Sequence, residues 1–243
     1  TDSTSNQIKL LPARREMTVV TAEYQSRGRG QQGNSWESEK GMNLVFSILI
    51  SPKNVVASQQ FILSQAISLA IRDTLSEYAD DLCIKWPNDI YVDDCKLCGI
   101  LIENAFVGTS IDYAIIGIGL NVNQTQWAND VPNPISLKQL TSETYELAPL
   151  VTALVTALEK EMSNLQEDNK SRYMRYLYRR EGKWRFAERE VSTNPTQIIK
   201  GNIANAFEAE IADITEQGEL VLELSVPKQQ RRTYHFKQIQ YIL

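Results

Sequence analysis

The chain has 243 residues, 42% of them hydrophobic and 23% charged, with a net charge of −5, which suits one large domain or a medium domain plus a small one. The acidic balance argues against a general nucleic-acid binder, and no apolar run approaches the roughly 18 residues of a membrane span. Three cysteines and no visible secretory signal point to a reducing compartment, the cytoplasm, rather than to a disulfide framework.

In chain order, "DSTSNQIKLL" carries hydroxyl and amide residues ahead of an apolar stretch, a helix-start pattern. "MTVVTAEYQ" (17–25) is rich in strand formers, and "NLVFSILI" (43–50) is a near-continuous apolar strand. Residues 54–79 form the strongest predicted helix, with Leu63, Ala66/Ile67, Ala70/Ile71, Thr74/Leu75 and Tyr78 at three- and four-residue spacing. "CIKW", "IYV" and "KLCGILIE" read as short strands joined by turns at Pro87-Asn88-Asp89 and Asp93-Asp94. "DYAIIGIGLNV" (112–122) is a further strand, and helices are predicted near 147–166 and 171–181. From about Trp184 the pattern changes to short strand-like runs: "TQIIKGNIA", "FEAEIADI", "ELVLELS" and "RTYHFKQI". A turn signal lies at Thr215–Gly218. This predicts a small β domain over 184–243, appended to an α/β (α+β) body over 1–183.

Between the first two strands lies "SRGRGQQGNSW", a literal G-x-G-x-x-G of Gly28, Gly30 and Gly33. In a dinucleotide-binding fold those glycines open a helix whose amides face a pyrophosphate. Here a strand follows instead of a helix, and the acidic residue expected about twenty positions on is missing. The loop therefore reads as a flexible, cationic element. Arg27 and Arg29 are suited to anionic oxygens, and Trp36 offers a flat face to a ring. Taken alone, such a loop reads rather as a long solvated hairpin loop.

In "KWPNDIYVDDCKLCGILIE" (85–103), Lys85 ends a short strand beside a rigid Trp-Pro turn. Desolvation there makes a lysine costly unless it is paired, and Asp89 is the available partner. Together with "TAEYQSRGRGQQGNSW" and "IIGIGLNVN", this segment resembles the biotin protein ligases in order and spacing, over nearly the whole chain. The resemblance implies a mixed-sheet catalytic domain of the class II aminoacyl-tRNA-synthetase/biotin-ligase-like type (1–183), with a small SH3-like C-terminal β-barrel (184–243). It also implies ATP-dependent ligation: biotin and Mg-ATP form biotinyl-5′-AMP, and a lysine of a biotin carboxyl carrier domain then takes the biotin.

By that resemblance Lys85 and Arg29 are the catalytic residues. Biotin is held by Thr4, Ser5, Asn6, Gln25, Arg29, Gly30, Gln31 and Lys85, with Ser3 as an alternative register for the hydroxyl element. The same hydroxyls could instead cap the first helix. Arg27, Gly28, Trp36, Lys85 and Asn121 are assigned to ATP and the adenylate, and no protein side chain is assigned to Mg2+. Gln31 stands where many members carry arginine, which implies a weaker hold on the adenylate or reliance on Arg27 and Arg29.

Cys95 and Cys98 form a C-x-x-C, but the lone histidine, His235, lies in the distant β region, so a zinc site is not expected. Lipoate or octanoate ligation is the alternative activity, and a biotin-responsive regulator the alternative class. The chain opens directly on the ligand-binding segment, so no DNA-binding domain is expected ahead of it. A monomer or a homodimer fits the reading.

Overall fold

The computed structural model describes residues 1–12, 15–31, 34–128, 132–165, 168–189, 205–224 and 229–242. Gly33 and the strand-like run at 196–204 lie outside them. Six strands, β1 (Val19–Ala22), β2 (Leu44–Ile50), β3 (Leu82–Lys85), β4 (Asp89–Val92), β5 (Cys95–Val107) and β6 (Ser110–Leu120), form one sheet in the order β1-β2-β6-β5-β4-β3. The later strands β7 (Trp184–Glu188), β8 (Phe207–Ile214), β9 (Leu220–Leu224), β10 (Gln230–Tyr234) and β11 (Ile239–Tyr241) form a second, in the order β10-β9-β8-β7-β11. The class is mixed α/β. Pairs between these strands run antiparallel. Parallel pairing occurs at the isolated bridges Ile84–Leu177 and Lys96–Pro134.

The sequence explains the layering. Every residue of β2 is buried, as expected of a strand covered on both faces. On β6, Ala114, Ile116, Ile118 and Leu120 alternate into the main core, beside Leu63, Ile67 and Ile71 of helix α2 (Phe61–Leu75). Its opposite face carries Ile115, which packs with Leu49 and with Ile8 of helix α1 (Thr4–Leu10). A 15-residue helix is marginal alone, so α2 depends on this packing, which contributes roughly 1.5–3 kcal/mol per fully buried Leu or Ile.

The helix predicted over 54–79 begins later, after a 3-10 turn at Ala57–Gln59. Helices α4 (Leu147–Ser163) and α5 (Asn169–Arg175) lie near their expected places. Helix α3 (Leu137–Thr141) has no counterpart among the expected elements. It is too short to show periodicity and is set by a capping box in which Ser136 and Gln139 satisfy each other's backbone N–H groups. No described helix is long and apolar enough to cross a membrane.

The two sheets meet at a turn. Gly218 closes the β8–β9 hairpin, its N–H donating to the Thr215 carbonyl at 2.9 Å, with φ at +87°. Its own carbonyl accepts the Trp86 indole N–H at 2.9 Å, and a Cβ there would run into the Phe61 ring. Position 218 therefore needs glycine for both conformation and space. Gly218→Ala is expected to lower stability by about 2 kcal/mol in urea unfolding. A wild-type midpoint would show that the turn does not bear on the body.

Candidate active site

The strand β6 also builds a cavity. Gly117, Gly119 and Asn121 follow one another at alternate positions, so their side-chain directions share the face opposite the core isoleucines. Over this floor lies a cavity of about 450 Å³. Each floor position meets a different element. A Cβ at Gly117 would crowd Ser5 Oγ, and one at Gly119 would strike the Trp36 ring. Asn121 Nδ2 donates to the carbonyls of Lys96 and Ile135 at 3.1 and 3.0 Å.

At the Gly117 end sits a polar nest. Thr4 Oγ1 and Ser5 Oγ hydrogen-bond Ser47 Oγ at 2.8 and 3.0 Å. Gln25 Oε1 accepts from the Thr4 backbone N–H at 2.7 Å and from Thr4 Oγ1 at 3.1 Å. Ser3, the N-cap of α1, makes no side-chain capping bond. These hydroxyls therefore serve the cavity wall and do not cap the helix.

The glycine–arginine loop is a small hairpin. Trp36 N–H donates to the Gly28 carbonyl at 2.9 Å and Gly30 N–H to the Asn34 carbonyl at 2.7 Å, beside an Arg29–Ser35 bridge. The hairpin lays the Trp36 ring on the cross-strand pair Gly99–Gly119. Its indole nitrogen is buried, with no hydrogen-bond partner among the described residues. Gln31 ties the loop to the β3–β4 turn, donating to Asn88 Oδ1 at 3.0 Å. Arg29 pairs with Glu103 at 2.6 Å and donates to Asn6 Oδ1 at 3.2 Å.

The lysine on the cavity wall is Lys96, not Lys85. Lys96 Nζ meets Asp89 Oδ2 at 2.6 Å and stands 5.7 Å from the Trp36 ring centroid. The sheet order gives the reason. β5 pairs directly with β6, so Lys96 lies beside the glycine floor. Lys85 is on β3, two strands further out, a distance of about 10 Å. Its ammonium instead donates to Tyr91 Oη at 3.2 Å and lies among three rings, with centroids at 4.4 Å (Tyr91), 5.4 Å (Tyr241) and 5.6 Å (Tyr178).

Of the residues expected from sequence, Thr4, Ser5, Gln25, Arg29, Gly30, Gln31, Trp36 and Asn121 line the cavity. Lys85, Asn6, Arg27 and Gly28 are not on its wall. Asn6 is turned to Asp2 and Arg29. Arg27 is exposed and its backbone N–H goes to the Asp2 carbonyl, so it is not placed to compensate for Gln31. Gly28 is packed under the Trp36 carbonyl. Ser3, the alternative register, lines it together with Thr4 and Ser5, whereas Lys96, Trp127 and Phe236 also line the cavity and were not expected from the sequence. Lys96 was open to discovery, standing three residues before Gly99 in a predicted strand. Phe236 comes from the second sheet's segment and packs edge-on against Trp86, with centroids 5.9 Å apart.

Burial lowers the Lys85 ammonium from its ordinary 10.5 to about 8, against the opposing pull of Asp89 and Asp94 and with the help of Lys96 and Arg179. Between pH 8 and 10.5 the unfolded chain binds more protons at this site, so the penalty is full below pH 8 and fades as the pH rises. The surrounding phenols Tyr91, Tyr178 and Tyr241 are raised, chiefly by burial, and are common to wild type and variant. The stability of Lys85→Met relative to wild type is therefore expected to fall by roughly 2–3 kcal/mol between pH 7 and pH 10. A pH-independent difference in chemical denaturation would contradict the buried placement.

Residues 1–121 match the Biotin/lipoate A/B protein ligase family. The Bifunctional ligase/repressor BirA of Bacillus subtilis (strain 168) is 32% identical over 151 residues, covering 60% of this chain and 46% of that protein. The Homo sapiens Biotin–protein ligase is 29% identical over 212 residues, covering 82% of this chain and 28% of that protein. The chain thus spans less than half the length of these curated relatives. Among solved structures, the biotin protein ligase from Aquifex aeolicus in complex with biotin and ATP superposes with a TM-score of 0.76 at 20% identity, covering 99% of this chain and 95% of that one. The biotin protein ligase from Leishmania major in complex with biotinyl-5-AMP gives 0.65 at 19% identity, over 96% and 95%. Both are likenesses of fold. Through its residues 1–121, the chain belongs to the biotin/lipoate A/B protein ligase family.

Proposed function

We propose that this chain is an ATP-dependent biotin protein ligase. The observation that carries the reading is the position of Lys96. Paired to Asp89, it stands on the wall of a cavity that has a buried hydroxyl–amide nest at one end and, at the other, a buried amide oxygen of Asn121 with no partner among the described residues. The nest of Ser3, Thr4, Ser5, Gln25 and Ser47 suits the ureido ring of biotin, which both donates and accepts hydrogen bonds. The dithiolane of lipoate or the tail of octanoate would leave those buried groups without ligand partners, an unfavourable exchange. The chemistry of the nest therefore favours biotin over the lipoate alternative.

In the first step a biotin carboxylate oxygen attacks the α-phosphorus of ATP, and the bond to the pyrophosphate oxygen breaks. Both reactants are anionic, so the step requires fixed positive charge where they meet. Lys96 supplies it, held in direction by Asp89. Arg29 reaches the same wall but is committed to Glu103, so its role is to keep the hairpin closed and present Gly30 and Gln31 to the ligand. Trp36, seated directly on the Gly99–Gly119 floor, offers its ring as part of the wall the ligand meets, and Asn121 Oδ1 takes the amino group of adenine. In the second step the amine of a carrier-domain lysine attacks the acyl carbon, and AMP leaves with the electron pair of the broken anhydride bond.

Among the described residues no group of three or more His, Cys, Asp or Glu could hold a metal. Mg2+ is proposed to enter with ATP, coordinated by phosphate oxygens and water. Residues 1–183 form the catalytic unit in this reading, and 184–243 an accessory β unit that reaches the cavity through Phe236. The cytoplasm is the proposed compartment, which suits the free thiols of Cys83, Cys95 and Cys98.

Biotin-dependent ATP–pyrophosphate exchange, run beside lipoate and octanoate, tests the proposal. Exchange is expected with biotin, and Lys96→Met is expected to lower it by about 10²–10³-fold, far more than Lys85→Met. Exchange with lipoate instead, or equal losses in the two variants, would overturn the assignment.

A further inference from the structure

The alternation of β5 that puts Gly99 on the cavity floor and Leu101 on its wall brings Glu103 to the same face of the sheet. There it stands opposite Ile115, on which Ile8 of α1 packs. Its carboxylate is shared between two cations from different elements. Oε1 accepts from Arg29 Nη2 at 2.6 Å and from Lys9 Nζ at 2.9 Å, and Oε2 accepts from Arg29 Nη1 at 3.1 Å. Arg29 thus engages both oxygens, the strong two-pronged form of this contact, and its Nη1 also donates to Asn6 Oδ1 of α1 at 3.2 Å. Burial works against the charged carboxylate, yet the hydrogen bonds from Arg29 and Lys9 hold its pKa below the ordinary value. One side chain therefore joins a sheet strand, the glycine–arginine hairpin and α1.

The two elements that it joins form the polar end of the cavity. Helix α1 brings Ser3, Thr4 and Ser5, and the hairpin brings Gly30 and Gln31. A seven-residue helix is not stable alone, and the one buried apolar side chain of α1 is Ile8. The hairpin hangs from two points. Gln31 ties it to Asn88, the neighbour of Asp89, through an uncharged hydrogen bond, and Arg29 ties it to Glu103 through an ionic one. Losing the ionic tie would loosen α1 and the hairpin around the hydroxyl–amide nest and leave the Lys96–Asp89 pair in place.

We propose that Glu103 is a positioning residue for ligand retention: by pinning Arg29 and Lys9 together it keeps the nest closed and sets how fast biotin leaves, without entering the chemical step. The inference rests on the biotin reading above. The side chains of Arg29 and Lys9 are more than a third exposed, at 37% and 39%, so added salt screens the pin and speeds release.

The test uses the full chain. Dissociation of labelled biotin is followed after a chase with unlabelled biotin, and KM and kcat are measured by pyrophosphate exchange. Glu103→Gln is expected to speed dissociation and raise the biotin KM about fivefold, with kcat and the ATP KM unchanged. Lys9→Met should move the same two quantities in the same direction by less, and salt should speed release from wild type more than from Glu103→Gln. Arg29→Gln combined with Glu103→Gln should cost no more than the larger single effect, because the two changes break one contact. A merely structural role would instead give additive losses, with kcat falling as the thermal midpoint falls. Unchanged dissociation from Glu103→Gln would overturn the pin. Slower dissociation would also overturn it, showing that Glu103 holds Arg29 away from the ligand. Failure of the wild-type protein to bind biotin would overturn the biotin reading, and this inference with it.

Discussion

The site is organised around one ion pair. Lys96 and Asp89 are three-quarters buried side chains 2.6 Å apart, and each offsets part of the other's desolvation. Such a pair contributes little to stability but fixes direction. Between β4 and β5 the register slips, Ile90 facing Cys98 and Tyr91 facing Lys96, so Leu97 is the extra residue of a bulge. Bulges re-aim side chains, and this one sets the side chain of Lys96 beside the glycine floor. Asp89 then holds the ammonium in place.

A second constraint is that one strand must build both the core and the site. β6 does so by alternation. Ile116, Ile118 and Leu120 go into the core against α2, while on the other face Gly117 and Gly119 admit Ser5 and Trp36, and Asn121, just past the strand, presents an oxygen with no partner among the described residues. The glycines serve here by lacking side chains, since Ser5 and Trp36 occupy the space where Cβ atoms would be. Destabilising this strand would therefore open the site and the core together. The second sheet joins the same construction through Trp86, which donates to Gly218 and packs on Phe236 at the cavity edge.

Much of this is legible in the sequence because local patterns determine it. The strand that follows the glycine loop rules out a dinucleotide fold, and the period of residues 54–79 marks α2. What was not legible depends on distances across the sheet. Lys85 stands in the most distinctive string of the chain, yet β3 is an edge strand and Lys96 two strands inward has the cavity. Gly99, three residues after Lys96, is the one local hint, and only the sheet order shows that it counts. Ser3 and Asn6 differ by less than one helical turn, and only the seating of α1 on β2 decides which faces the cavity. Trp127 sits in a segment of ordinary composition, and its place comes from a single bond to Gln139. The uncharged Gln31–Asn88 contact was likewise invisible, although Gln31 itself stood out.

A crystal structure of the protein with biotin tests the central claim most directly. The account predicts the ureido ring within the Ser5–Ser47–Gln25 nest, the chain running past Gly117 and alongside the Trp36 ring, and the carboxylate within about 4 Å of Lys96 Nζ. A carboxylate paired with Lys85, or biotin bound away from the β6 glycines, would contradict it.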